Sequence, residues 1–332
     1  MKDNSLLNDP RSTRALLGLL LIFALQLPAM QAAAQSRPGA GGLTNEPGEG
    51  KVVVSSYGLC RFVLHDYDLK PATQQSIDQV VRRLLSQHQA TFRLDPRTDF
   101  RFNMRIFGRF EDYQRFTTNA GVQIPGMQRM ALTNLLGYYS HRMKQLVTWR
   151  QQVGQKFGHV LLHESSHAIM DAYYPRAPIW LLEGCAEYFA YPPDMRDAGD
   201  TKTLRTRWGL LNLWLQDDKL MPLRTFVNLN QASWDKLDIT KAYITSWSLF
   251  QFLVSTDRNK EIVRRFLREV QAERGREMEC AAKLERDYPG GLAKLETDWH
   301  QWIRETGRQL FPTNRMDVLR ELEMEREKRN RQ

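Results

Sequence analysis

One pentapeptide restricts this chain more than any other feature: His163-Glu164-Ser165-Ser166-His167, an HExxH pattern. Val160, Leu161 and Leu162 precede it and Ala168, Ile169 and Met170 follow it, the setting of a buried helix. On a helix the two histidines lie one turn apart on a single face. Their ring nitrogens can then converge on one ion, with Glu164 beside them but not bound to it. Without a partner, two imidazoles and a carboxylate inside an apolar helix would be costly. Whatever fold this chain adopts must therefore satisfy three polar side chains on a buried helix, and a metal does so. Zinc needs a third protein ligand and one open position.

An HExxH pattern alone arises by chance in roughly one chain of this length in a hundred, so its context decides. The cluster Tyr174-Pro175-Arg176-Ala177-Pro178 ends the first helix and lets the chain reverse. A second apolar helix follows, Trp180-Leu181-Leu182-Glu183-Gly184-Cys185-Ala186-Glu187-Tyr188, with Glu183 and Glu187 one turn apart. Either glutamate can supply the third ligand.

HESSH followed by WLLEGCAEY resembles the gluzincin superfamily of zinc metallopeptidases, to which thermolysin and the aminopeptidase-N-like enzymes belong. The wording is similar to the WLxEGxAEY form of the aminopeptidases and of exported bacterial peptidase-like proteins. The match covers about thirty residues. It implies zinc held by His163, His167 and a glutamate, with Glu164 as general base. It also implies an α+β, thermolysin-like core, in which a twisted sheet packs on the HExxH helix and its edge strand lines the cleft. The WLxEG wording marks Glu183 as the ligand and Glu187 as an outer carboxylate that orients a ligating histidine. Counting pulls the other way: fifteen residues separate His167 from Glu183, fewer than is usual, and Glu187 lies at a thermolysin-like spacing. The wording is preferred, because a loop shortens more easily than a helix changes its inward face.

The chain begins with an expected signal peptide, residues 1–34. Its apolar run Ala15 to Leu27 follows Arg11 and Arg14, and Ala32-Ala33-Ala34 offers a cleavage site. That run is short for a membrane span, which needs about twenty apolar residues; an uncleaved anchor is its other reading. A periplasmic or secreted location follows, with no stable membrane segment after cleavage. Residues 35–50, rich in Gly and Pro, form a flexible linker. Residues 51–311 make one peptidase unit, with a β-rich half at 51–150 and a helical half at 151–311. Residues 312–332 alternate in charge, as in a solvated helical tail.

Within the β-rich half, strands are expected at Lys51–Val54, Cys60–Leu64 and Asp99–Phe107, where Phe100, Phe102, Met104 and Ile106 alternate with Arg101, Asn103 and Arg105. Tyr138 to Trp149 holds at least one more, and the cleft's edge strand belongs in Gly137 to Trp149. Helices are expected at Pro71–Gln89, from Phe110, and at Thr203–Gln216, Ala242–Val254, Glu261–Glu273, Cys280–Asp287 and Leu292–Ile303. Leu220–Asn230 reads as a turn-bearing connection.

Cleavage at Ala34 removes three basic and two acidic side chains, lowering the net charge from +9 to +8. Lys and Arg are dispersed rather than clustered, so no nucleic-acid partner is expected. Three cysteines are few for a disulfide scaffold. Cys60 and Cys280 can pair in an oxidising compartment, whereas Cys185 reads as a core side chain.

The chemistry that the resemblance implies is hydrolysis of a peptide or protein substrate by a zinc-activated water, with Glu164 taking its proton. The family adds an oxyanion donor from a later helix, and Tyr243 stands where that donor falls; a core tyrosine is its other reading. His159 reads as structural, Asp171 as a possible outer acceptor, and His65, His88, His141 and His300 as surface or satisfied core groups. The acidic Gly-rich motif with which aminopeptidases hold a free amine is absent, which favours an endopeptidase. The rival functional class is a catalytically silent zinc scaffold or an adaptor of the cell envelope.

Overall fold

The computed structural model describes residues 51–120, 136–150, 154–191, 201–272 and 279–310. The expected signal peptide, linker and charged tail lie outside the described residues. A small five-stranded sheet occupies the N-terminal half, and the C-terminal half is mostly helical. The chain divides into two compact units, one ending at Ala177 and one beginning at Pro178.

In the first unit, β1 (Val52–Tyr57), β2 (Cys60–His65), β3 (Phe102–Phe107), β4 (Gly137–Ser140) and β5 (Gln145–Trp149) form a sheet of order β1-β2-β3-β5-β4. The two outer pairs are antiparallel and the two inner pairs parallel. A parallel pair needs a long crossover, and α1 (Pro71–Phe92) supplies the one between β2 and β3. Pro71 opens that helix, where its missing N–H costs nothing. Ile77, Val81, Leu84, His88 and Phe92 form its buried stripe at helical spacing. The alternation expected for β3 appears as buried Phe102, Met104 and Ile106. Where at least one further strand was expected, the 137–149 stretch forms a hairpin of two, β4 and β5. The outer of these, β4, ends the sheet. Lys144, in the connection, takes a left-handed backbone with φ 49°.

After α2 (Phe110–Asn119) and the hairpin comes α3 (Gly154–Tyr173), the HExxH helix. It packs on β4, β5 and α1, so the HExxH helix belongs with the sheet rather than with the helices that follow.

The second unit contains α4 (Ile179–Ala190), α5 (Thr201–Gln216), α6 (Leu223–Val227), α7 (Gln231–Trp234), α8 (Ile239–Leu253), α9 (Asp257–Ala272), α10 (Cys280–Asp287) and α11 (Gly291–Leu310). Its core is built on tryptophans: Trp180, Trp208, Trp234, Trp247 and Trp299 are all fully buried. The short α6 falls inside the expected connection, with Pro222 as its N-cap. Asp238 caps α8 by accepting the Lys241 N–H at 3.1 Å.

Helices α4 and α8 make the most extensive pairing of this unit. Gly184 explains how they approach so closely. A β-carbon there would lie 2.5 Å from the Ser246 carbonyl oxygen and 2.9 Å from the Phe250 β-carbon. The glycine of the WLLEG segment is therefore a packing requirement. All three cysteines are free and buried, so Cys60 and Cys280 do not pair, and Cys185 is a core side chain as expected. Among the described residues, no helix is long and apolar enough to cross a membrane.

Candidate metal centre

His163, Glu164 and His167 all lie on α3, and all three are buried. The one-turn spacing brings the two Nε2 atoms to 3.1 Å from each other. Two nitrogens bound to one tetrahedral zinc at about 2.0–2.1 Å each stand about 3.3 Å apart. The pair therefore has the separation that a shared zinc requires.

Two neighbours flank this pair: the Tyr139 amide, which carried no sequence signal, and Asp171, which the sequence offers as an outer acceptor. Glu164 Oε2 accepts the main-chain N–H of Tyr139 at 2.6 Å, so the outermost strand of the sheet is tied to the HExxH glutamate. One turn past His167, Asp171 gathers the hairpin. It accepts from the Tyr139 hydroxyl at 2.8 Å and from Lys144 Nζ at 2.5 Å, and His141 Nδ1 lies 3.4 Å away. Burial pushes the Asp171 carboxyl up, but the bonds from His141 and Lys144 outweigh it and hold the group down at about 2. Burial first, and then the Asp171 charge, raises the Tyr139 phenol well above its ordinary value. The His141 ring meets the His167 ring edge-on at 6.4 Å between centroids. His141 is half-buried beside the HExxH helix, with Asp171 as its partner.

The opposite flank of α3 is fixed by α1. His88 is fully buried; its Nδ1 bonds the Leu84 carbonyl and its Nε2 bonds Ser166 Oγ, each at 2.9 Å. Burial lowers the His88 pKa to about 3, so the ring is neutral at ordinary pH. That is the satisfied core histidine the sequence allows, and its ring holds the second serine of HESSH in place.

In the second unit, Glu183 and Glu187 project from α4 and both are buried. The Glu187 carboxylate ion-pairs with Arg207 of α5, itself buried. The guanidinium lies 4.2 Å from the centre of the Tyr191 ring and 5.4 Å from that of Trp247. A planar cation between aromatic faces with a carboxylate at its edge is a geometry that lysine cannot reproduce. Arg207 belongs to no recognisable motif, and only the fold reveals it. Tyr243 sits in the first turns of α8, buried, with its ring 6.2 Å from that of Trp234.

No family model matches the chain, and no curated protein matches it.

Proposed function

We propose that this chain is an exported zinc-dependent peptidase of gluzincin type with a thermolysin-like core. The observation that carries this reading is the HESSH face of α3: two buried imidazoles converge at 3.1 Å beside a buried carboxylate tied to the sheet's outer strand. Metal-assisted hydrolysis uses two convergent imidazoles with a carboxylate beside them.

Two sets of side chains have the donor chemistry for a metal: His163, His167 and Glu183, or His159, His163 and Glu187. The first is the proposed zinc set, because the ion pair with Arg207 commits Glu187 to an outer, orienting role. When bound, zinc supplies Lewis-acid chemistry, polarising a carbonyl and making water acidic near neutral pH. Glu164 accepts the water's proton and returns it to the leaving amine. The Tyr139 amide orients the Glu164 carboxylate by donating to Oε2. An extended peptide lies along β4, the end strand of the sheet. Tyr243 donates its hydroxyl hydrogen to the developing oxyanion.

The test is Glu164→Gln in the full chain. It should keep its zinc and lose peptide hydrolysis; undiminished hydrolysis would sink the mechanism. Zinc retained without hydrolysis in either form would leave the scaffold reading in its place.

A further inference from the structure

A cavity of about 300 Å³ opens in the first unit beside the metal helix, lined by Arg97, Asp99, Arg101, Tyr139, Lys144 and Asp171 among others. We propose that this cavity is a substrate subsite that selects a carboxylate of the peptide. The proposal rests on the peptidase reading and adds the chemistry of the substrate.

Position is the first argument. Ala168, the neighbour of His167 on α3, lines the cavity, and so does Tyr139. The Tyr139 amide bonds Glu164 while its hydroxyl bonds Asp171. One residue of the end strand therefore touches both the proposed general base and the cavity wall. A peptide lying along that strand would present a neighbouring side chain, or its C-terminal group, to this opening.

Charge is the second argument. The lining carries three cations and two carboxylates. Arg97 holds Asp99 through two hydrogen bonds, Nε to Oδ1 at 3.0 Å and Nη2 to Oδ2 at 2.6 Å. Its remaining Nη1 donates to the Ala172 carbonyl. Lys144 and the Tyr139 hydroxyl meet the charge of Asp171. Both carboxylates are thus answered within the wall. Arg101 is the cation left over: it donates from Nη1 to the Thr98 and Phe100 carbonyls and forms no ion pair among the described residues. Its effect on Asp99 is through space, without a direct bond. A guanidinium with its fork still available is the group that recognises a carboxylate by two parallel hydrogen bonds.

Lys144 supports the arrangement. Its left-handed backbone is unusual for a non-glycine residue. Asn103 Nδ2 fixes it by donating to the Lys144 carbonyl at 3.0 Å, and the Asp171 ion pair fixes its side chain. The cationic rim is held in place from both ends.

The experiment uses full-length Glu164→Gln chain and fluorescent octapeptides blocked at both ends, with one glutamate moved through otherwise neutral sequence. Each is compared with its glutamine counterpart by fluorescence anisotropy. A neutral octapeptide with a free C-terminal carboxylate, beside its amide, tests the second source of the same group. At one glutamate position, or with the free C-terminus, binding should be about tenfold tighter than for the neutral partner. Adding Arg101→Gln should reduce that preference to less than about threefold and leave binding of the neutral peptide unchanged. Equal binding of every charged and neutral pair, a preference that survives Arg101→Gln, or no binding by any peptide would overturn the proposal. Hydrolysis by the wild-type chain is read separately. Neutral peptides cut without preference for the carboxylate would remove the subsite and leave the peptidase standing. Arg101-dependent binding with nothing cut would do the reverse.

Discussion

The amide nitrogen of Tyr139, on the last strand of the sheet, stands 2.6 Å from Oε2 of Glu164. A main-chain group is thereby the orienting partner of the proposed general base. Removing this N–H should therefore matter more than removing the side chain. Tyr139→Ala keeps the amide, whereas Tyr139→Pro deletes it at a sheet edge, where proline is tolerated. Hydrogen bonds to charged groups contribute about 1.5–3 kcal/mol. Hydrolysis by the proline variant should fall at least about tenfold below that of the alanine variant, with zinc content unchanged in both. Equal rates would show that the bond does not orient Glu164.

Tyr243→Phe tests the oxyanion donor. Loss of one such donor costs about 100-fold to 1,000-fold in turnover. The expected outcome is a drop of that size in kcat with KM little changed and the melting temperature preserved, since the ring keeps its place against Trp234. Activity within about twofold of wild type would return Tyr243 to the core.

Gly184→Ala tests the packing account of the WLLEG segment. The added methyl would press on the Ser246 carbonyl from 2.5 Å, and backbone cannot yield as a flexible side chain does. Overpacking of this kind costs about 1–3 kcal/mol or more. Chemical denaturation should show a loss of that order. An unchanged midpoint would mean that α4 and α8 separate without cost.

His88 gives the first unit a dependence on pH. Its pKa in the folded chain, about 3, lies below the ordinary value of 6.5. Between those values the unfolded chain binds the extra proton, so this contribution is complete above pH 6.5 and declines as pH falls. The slope from one such group approaches about 1.4 kcal/mol per pH unit. Over the range from about pH 7 to about pH 4, stability should fall less steeply in His88→Gln than in wild type. Parallel slopes would remove His88 as the cause.

The candidate site was legible where side-chain type and spacing carry the chemistry, and hidden where they do not. His163 and His167 announce themselves because helical period alone puts them on one face, and Glu164 because it adjoins them. The alternation of Phe102, Met104 and Ile106 gave β3 by the same logic. The Tyr139 amide could not be foreseen, because every residue but proline has one, and only the strand's position at the sheet end aims it at Glu164. Arg207 was hidden for a related reason: one arginine in a helix has no pattern until Glu187, Tyr191 and Trp247 surround it. His141 and Lys144 meet Asp171 across a long stretch of chain, a separation that no local period reports. The division at Ala177–Pro178 was likewise invisible, since α3 carries helical sequence but packs on the sheet.

The most direct test of the central claim is the metal content of the purified chain, measured beside Glu183→Ala and Glu187→Ala. One zinc per wild-type chain is predicted, lost in Glu183→Ala and weakened about 10-fold to 100-fold in affinity in Glu187→Ala, as for an outer-shell partner. Zinc lost only from Glu187→Ala would move the ligand one helical turn. No zinc in the wild-type chain would contradict the account.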